Sequence, residues 1–509
     1  MLVSAPSFAT GLWENLSHDI HYIWPQILLI VSGLLMLWPL DSWLVKWTKA
    51  EKHKWAVPTM VILLVSLVLS VYTPNGLGFS AMYKVDGLAK GFQVLCILAS
   101  IFAVMLSQKV LGALVEHTAE YYALILFATS GMLFMCGAVD LVTIYFSIEL
   151  MALCIYILVA YLRNQERGIE AGMKYFLLGA FSSGIMLYGI SLLFAATGGI
   201  TTNLTELNQK LAIVSQDKNL LVYSGVLMVL VGLCFKVAAV PFHMWSPDVY
   251  DGAPTPVTAW LATAPKAASM AVFLRVFGTG FHSISYDWAA PLMLICAASM
   301  ILGNVAAIRQ QSLKRLLAYS SIAHVGYMLL GVLSMDAQAG AQAVWLYMLL
   351  YLFMNTGAFA VVIYLQGKNE GERIEDFSGL GKRHPMLAFS MLVFLLSLAG
   401  IPPFIGFFGK FYIFLLAVEQ GYTTLVVIAL LTSAVSAFYY LEVVKQMYFK
   451  EPAEGEVEPM DSYSKLLISA TCAVVLIGTA FGPQLLKWTD DIRWFEKETP
   501  AAVMEFPNK

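Results

Sequence analysis

The sequence predicts an all-α polytopic membrane protein with about fourteen transmembrane helices. Three observations carry this. Of the 509 residues, 59% are hydrophobic and only 12% are charged, at a mean hydropathy of +0.74; water-soluble domains of this length do not show such a balance. Fourteen apolar segments have the length needed to cross a hydrocarbon core of about 30 Å. Loops after the odd-numbered segments hold about sixteen Lys and Arg, whereas loops after the even-numbered ones hold about three. That asymmetry orients membrane helices, and here it places both termini on the outer face.

In chain order the segments lie near residues 22–40, 56–73, 86–106, 120–138, 140–162, 173–197, 221–245, 255–278, 286–307, 312–333, 342–365, 385–418, 423–448 and 465–484. The basic loops that separate them include Lys46, Lys49, Lys52, Arg163, Arg167, Lys314, Arg315, Lys368, Arg373, Lys382 and Arg383. Lys487, Arg493 and Lys497 in the tail mildly oppose the outward placement, but terminal charges weigh less than those of early loops. Residues 1–20 carry Glu14 and Asp19 and no Lys or Arg, so they lack the basic flank of a cleavable signal peptide.

Two segments are interrupted. The twelfth, 385–418, is too long for one straight span and holds Pro402 and Pro403 amid Gly400, Gly406 and Gly409. The seventh has Pro241 five residues after Lys236. A proline removes a backbone donor and clashes with the preceding turn, so both helices should break. Broken helices at corresponding places in two halves point to inverted repeats. The segments then divide into helices 1–3 (1–119), a first repeat of helices 4–8 (120–278), a second and inverted repeat of helices 9–13 (286–448), and helix 14 with a tail (449–509).

Charges inside the spans are the chemical signal. A lysine at the bilayer centre costs about 2.5–3.5 kcal/mol, and it persists with a partner, a water-filled cavity or a role in moving charge. Lys236 and Lys266 flank the polar, proline-rich stretch between Phe235 and Trp260, and Lys410 follows the Gly400 to Gly409 break. Apolar residues from Phe411 to Val418 follow Lys410, so it cannot simply snorkel to the surface. Glu149 sits deep in the fifth segment. Burial favours the neutral forms of Glu and Lys while pairing favours the charged forms, so a buried Glu–Lys couple can exchange a proton. A static ion pair that locks helices is the rival reading.

Lys266 follows Pro265, with Thr263 and Ser269 three residues away on its face. His243 lies seven residues after Lys236. Ser320, His324 and Tyr327 share a face of the tenth segment. Either histidine is open to proton transfer or to a satisfied core hydrogen bond. Glu442 and Lys445, three apart, can pair with each other. Lys174 and Arg275 read as structural charges near a membrane face. The six cysteines stand singly in apolar runs, without metal-ligand spacing. No flavin, nucleotide or cluster motif is present, and no basic cluster argues for nucleic acid.

The stretch from Val240 to Val257, the lysines at 236, 266 and 410, and Glu149 together resemble the antiporter-like, proton-translocating family of bacterial NADH-quinone oxidoreductase, respiratory complex I, and within it the subunit N branch. The resemblance covers about Asp86 to Lys445. Lys410 supports that branch, because the sister subunit M has a glutamate at the matching place. The resemblance implies a Glu149–Lys236 pair, a central relay at Lys266 and a terminal lysine at Lys410. His243, His324, Ser320, Tyr327 and Glu442 follow as possible relays, although the family often has a basic residue where Glu442 stands. It further implies that FMN and iron–sulfur clusters reside in partner subunits, with none on this chain. NADH and quinone would be used elsewhere in the complex, and neighbours would be other membrane-arm subunits in the bacterial inner membrane. A subunit of a multisubunit cation/proton antiporter or a membrane-bound hydrogenase-type complex is the alternative.

Overall fold

The structure is a computed structural model that describes residues 19–37, 55–114, 118–215, 219–366, 372–452, 462–490 and 492–495. Both chain ends and the loop residues Lys46, Lys49, Lys52 and Lys368 lie outside these residues. All fourteen apolar segments carry helix: α1 Trp24–Leu37, α2 Ala56–Tyr72, α3 Gly87–Leu114, α4 Ala119–Gly137, α5 Leu141–Val159, α6 Glu166–Ala196, α7 Leu220–Val237, α8 Thr255–Gly280, α9 Ser285–Ala307, α10 Leu313–Val332, α11 Ala337–Gln366, α12 in two pieces Pro385–Ala399 and Ile405–Glu419, α13 Thr423–Phe449 and α14 Ser462–Ile477. Among the described residues, eleven helices are long and apolar enough to cross a membrane, and Ala56–Tyr72 and Pro385–Ala399 are shorter apolar ones. Helix α10 is not among the eleven; it contains Lys314, Arg315, Ser320, Ser321 and His324.

Local chemistry sets several helix starts. Asp140 caps α5, accepting from Val142 N at 2.9 Å and Thr143 N at 3.0 Å. Asn219 caps α7 through Leu221 N, and Ser312 caps α10 through Arg315 N. Each satisfies donors that the first turn leaves free. A short antiparallel hairpin, β1 Gly76–Gly78 and β2 Tyr83–Val85, joins α2 to α3.

The core is not at the geometric ends of the chain but around α8, whose apolar stretch is wholly enclosed by other helices. Helix α11 is nearly as enclosed. Helices α3, α4, α7 and α11 pack against α8, while α1, α2, α6 and α13 leave large apolar faces outward. Helices α6 and α7 approach closely: a Cβ on Gly225 would lie 3.0 Å from the Gly189 carbonyl oxygen. Small residues permit that approach in a membrane bundle, where packing rather than hydrophobic driving force joins helices.

Three helices on the core are interrupted. Helix α7 stops at Val237, and Ala238 takes a left-handed conformation (φ 60°) before Pro241. The chain resumes helix at Trp245–Gly252. Helix α12 stops at Gly400, also left-handed (φ 80°), and resumes at Ile405 after Pro402 and Pro403. Helix α8, expected as one span, divides between Leu261 and Ala264. Pro265 has no N–H to offer, and Thr263 leaves helical geometry at φ −121° and ψ −70°.

Candidate functional site

The three interruptions place three lysines. Lys236 occupies the last turn of α7, one residue before its end. Its ammonium donates to Ser183 Oγ of α6 at 3.2 Å and lies 3.7 Å from Glu149 Oε1 of α5. Ser183 in turn donates a short hydrogen bond to the same carboxylate. Glu149, Ser183 and Lys236 therefore form a bridged carboxylate–hydroxyl–ammonium group across three helices. The lysine side chain is almost wholly buried, whereas the Glu149 side chain keeps 22% of its surface. Such a pair is asymmetric, with the carboxylate nearer the outside of the bundle.

Lys266 stands in the first turn of the second piece of α8 and donates to Ser321 of α10. The ring of Tyr250 faces its ammonium at 5.9 Å. Thr263 and Ser269, expected beside it, instead turn back on their own helix: Thr263 bonds the Ala259 and Trp260 carbonyls, and Ser269 bonds Pro265. Their hydroxyls have a local acceptor one turn away, which outcompetes the lysine.

Lys410 lies in the second piece of α12. Its ammonium donates to the Ala399 carbonyl and to Ser433 Oγ of α13, each at 2.9 Å, and sits 5.0 Å from the ring centre of Tyr327. The break at Gly400 supplies this carbonyl, since Ala399 is the last residue of the first piece and has no helical donor to receive. A cavity of about 310 Å³ opens beside the lysine, walled by Phe407, Phe411, Phe414 and Leu430.

Helix α10 spans the gap between Lys266 and Lys410. His324 Nδ1 and Tyr347 Oη of α11 are 2.7 Å apart, and the rings of Tyr327, Tyr347 and Tyr351 surround the imidazole. Tyr327 Oη accepts from Asn304 Nδ2 of α9 at 3.0 Å and lies 3.4 Å from Thr432 Oγ1 of α13. Ser320 pairs with Tyr440 of α13, and Tyr439 Oη donates to Asn304 Oδ1 at 3.1 Å. Ser320, His324 and Tyr327 thus share α10 but reach three different neighbours.

Two expected residues stand apart. His243 is half-buried in the turn after α7, with its Nδ1 enclosed and without a hydrogen-bond partner. Glu442 pairs with Lys445 at 3.1 Å on an exposed face of α13. Lys174 pairs with Glu170 and Asp248, and Arg275 with Asp86. The partners Ser183, Ser321, Ser433, Asn304, Tyr347, Tyr439 and Tyr440 were not singled out from sequence. The adjacent Ser182–Ser183 and Ser320–Ser321 pairs within apolar runs were the signal available for two of them. Among the described residues no group of His, Cys, Asp or Glu could hold a metal ion, and the six cysteines are free and buried.

Comparison with known proteins gives the same direction. Residues 138–436 match the family described as NADH:quinone oxidoreductase/Mrp antiporter, TM; that range holds Glu149, Lys236, Lys266 and Lys410, and Glu442 falls beyond it. The chain is 44% identical to NADH-quinone oxidoreductase subunit N of Rhodospirillum rubrum, over 83% of this chain and 84% of the relative. It is 41% identical to the subunit N of Paramagnetospirillum magneticum, over 91% and 94%. A chain in the structure of respiratory complex I from Thermus thermophilus with bound aureothin superposes with a TM-score of 0.76 at 32% identity, covering 91% of this chain and 98% of that one. The chain belongs to the NADH:quinone oxidoreductase/Mrp antiporter family of membrane subunits, in the branch of NADH-quinone oxidoreductase subunit N.

Proposed function

We propose that this chain is a proton-translocating subunit in the membrane arm of a bacterial NADH-quinone oxidoreductase, and that it carries protons while partner subunits carry electrons. The observation that supports this most is the set of three buried lysines, each beside a helix interruption and each bonded to a hydroxyl rather than locked in a tight ion pair. A lysine held by neutral groups can lose its proton without stranding a counter-charge, which a close buried salt bridge forbids. The Glu149–Lys236 separation of 3.7 Å, bridged by Ser183, leaves the couple able to open.

In this reading a proton enters the Glu149–Ser183–Lys236 group and passes to Lys266. It continues by way of Ser321, His324 and the surrounding tyrosines to Lys410. Waters would complete the gaps, as in other intramembrane relays. His243, Ser320 and Tyr327 flank this line, and Glu442 stands outside it. The packing supports two repeats: α4 packs on α5 and α8 as α9 packs on α10 and α13, and α7 and α12 break correspondingly. Opposite orientation of the repeats follows from the loop charges, with fourteen crossings and both termini outside. FMN, iron–sulfur clusters, NADH and quinone belong to partner subunits in this account.

The family name also includes antiporters, and one experiment separates the two activities. In inverted membrane vesicles containing the assembled complex, NADH oxidation in sodium-free buffer should acidify the interior. Three-lysine replacement (Lys236, Lys266 and Lys410 to Ala) should abolish this while leaving complex on a native gel. Sodium-dependent proton exchange without NADH, at the full wild-type rate, would favour the antiporter reading.

A further inference from the structure

Helix α3 carries a polar residue at every seventh position: Asp86 just before its start, then Gln93, Ser100 and Ser107, all buried. Seven residues are close to two turns, so the four share one face along some 30 Å of helix. Gln93 donates to Tyr83 Oη and the Leu133 carbonyl, and Ser107 pairs with Tyr121 of α4. The other two rungs reach α8. Asp86 holds Arg275 through two bonds of 2.6 Å at the far end of its second piece. Ser100 accepts from Trp260 Nε1 at 3.0 Å, one residue before the first piece ends, and pairs with Thr129 Oγ1 at 2.8 Å. Across the break, Cys96 Sγ lies 3.7 Å from the Ala264 carbonyl oxygen.

We propose that Ser100, acting through the indole of Trp260, is a positioning residue that fixes the interruption of α8 and thereby aims Lys266 at α10. At the break the regular ladder is interrupted at Pro265, which has no N–H, and the pieces are joined through Thr263, whose N–H bonds the Trp260 carbonyl at 3.0 Å and whose carbonyl accepts from Ala267 N at 2.9 Å in non-helical geometry. The relative rotation of the two pieces is set by what they touch, and α3 touches both. Trp260 is 1% exposed, and an indole has a single donor. Without Ser100 that donor is buried and unpaired, and the last turn of the first piece rotates to find another acceptor. Lys266 stands two residues past Ala264, so rotation at the break moves its ammonium off Ser321.

The inference rests on the reading of Lys266 as a proton station. The test uses the assembled complex in vesicles, with NADH-driven pumping and quinone-reductase rate both normalised to complex on a native gel. Ser100→Ala should lower pumping per complex about tenfold, the loss expected when one buried hydrogen bond is broken and its partner stranded. Ser100→Thr, which keeps the hydroxyl, should restore most of it. Trp260→Phe also breaks the tether but strands no donor, since Ser100 keeps its Thr129 pair; it should lose pumping severalfold, less than Ser100→Ala, and the double variant should fall no further than Ser100→Ala alone. Should Ser100→Ala fail to assemble, Trp260→Phe carries the test. Normal pumping in either single variant, equal loss in Ser100→Thr, or losses that multiply would overturn the proposal. Lys266→Ala distinguishes the causes: normal pumping there removes the station itself, whereas a crippled Lys266→Ala beside a normal Ser100→Ala removes only the positioning role.

Discussion

A lysine in an apolar run announces itself by type alone, so Lys236, Lys266 and Lys410 were legible from the sequence. Their partners were not. Serine is common in membrane helices and usually bonds its own turn, as Ser107 does with Ala103 and Ser269 with Pro265. Which serine faces a neighbour depends on helix rotation, which only packing decides. Ser183 is the clearest case, because it joins Glu149 to Lys236. Ser183→Ala should leave assembly unchanged yet slow NADH-driven pumping at least about tenfold, the scale of one hydrogen bond to a charged group. A pumping assay normalised to complex checks this, and an unchanged rate would make the bridge incidental.

At the scale of helices, two interruptions could be read and one could not. Pro241 and the Pro402–Pro403 pair lie mid-segment, where a proline is incompatible with a continuous helix. Pro265 stands in the first turn after the α8 break, a position that helices accept readily, so sequence alone gives no sign that a helix has just ended. The α12 break offers a controlled comparison. Gly400 and Gly421 are both left-handed, at φ 80° and 86°, but a Cβ on Gly400 would meet Lys410 Cδ at 2.7 Å whereas one on Gly421 meets nothing within 4 Å. Alanine at either site carries a backbone penalty of roughly 1–2 kcal/mol. Gly400→Ala should also displace the lysine and cut pumping severalfold, while Gly421→Ala should lose some thermal stability and pump normally. Equal pumping by the two variants would separate the break from the function of Lys410.

For the whole molecule, composition and loop charge gave the membrane class directly, since solvation in lipid constrains every residue of a span. Long-range closure was invisible to them. Residues 492–495 return to the start of α3, where Leu88 N donates to the Trp494 carbonyl at 3.0 Å, close to the buried Asp86–Arg275 pair. Nothing in a tail of mixed polarity signals that seat. Orientation is testable as a unit: alkaline phosphatase fused at Lys509 should be active, in the periplasm, and the same reporter in the loop at Lys382 should be inactive, in the cytoplasm. Activity at both sites would remove the inverted relation between the repeats.

The claim that unites the three scales is that Lys236 works by giving up its proton beside Glu149. Lys236→Ala and Lys236→Arg, compared in vesicles with pumping and quinone-reductase rate normalised to assembled complex, test it most directly. Arginine keeps its charge and its proton throughout the accessible pH range. Both variants should therefore assemble, and both should lose most of their pumping. Near-normal pumping by Lys236→Arg beside a crippled Lys236→Ala would contradict it, leaving Lys236 as a packing charge and the proton route elsewhere.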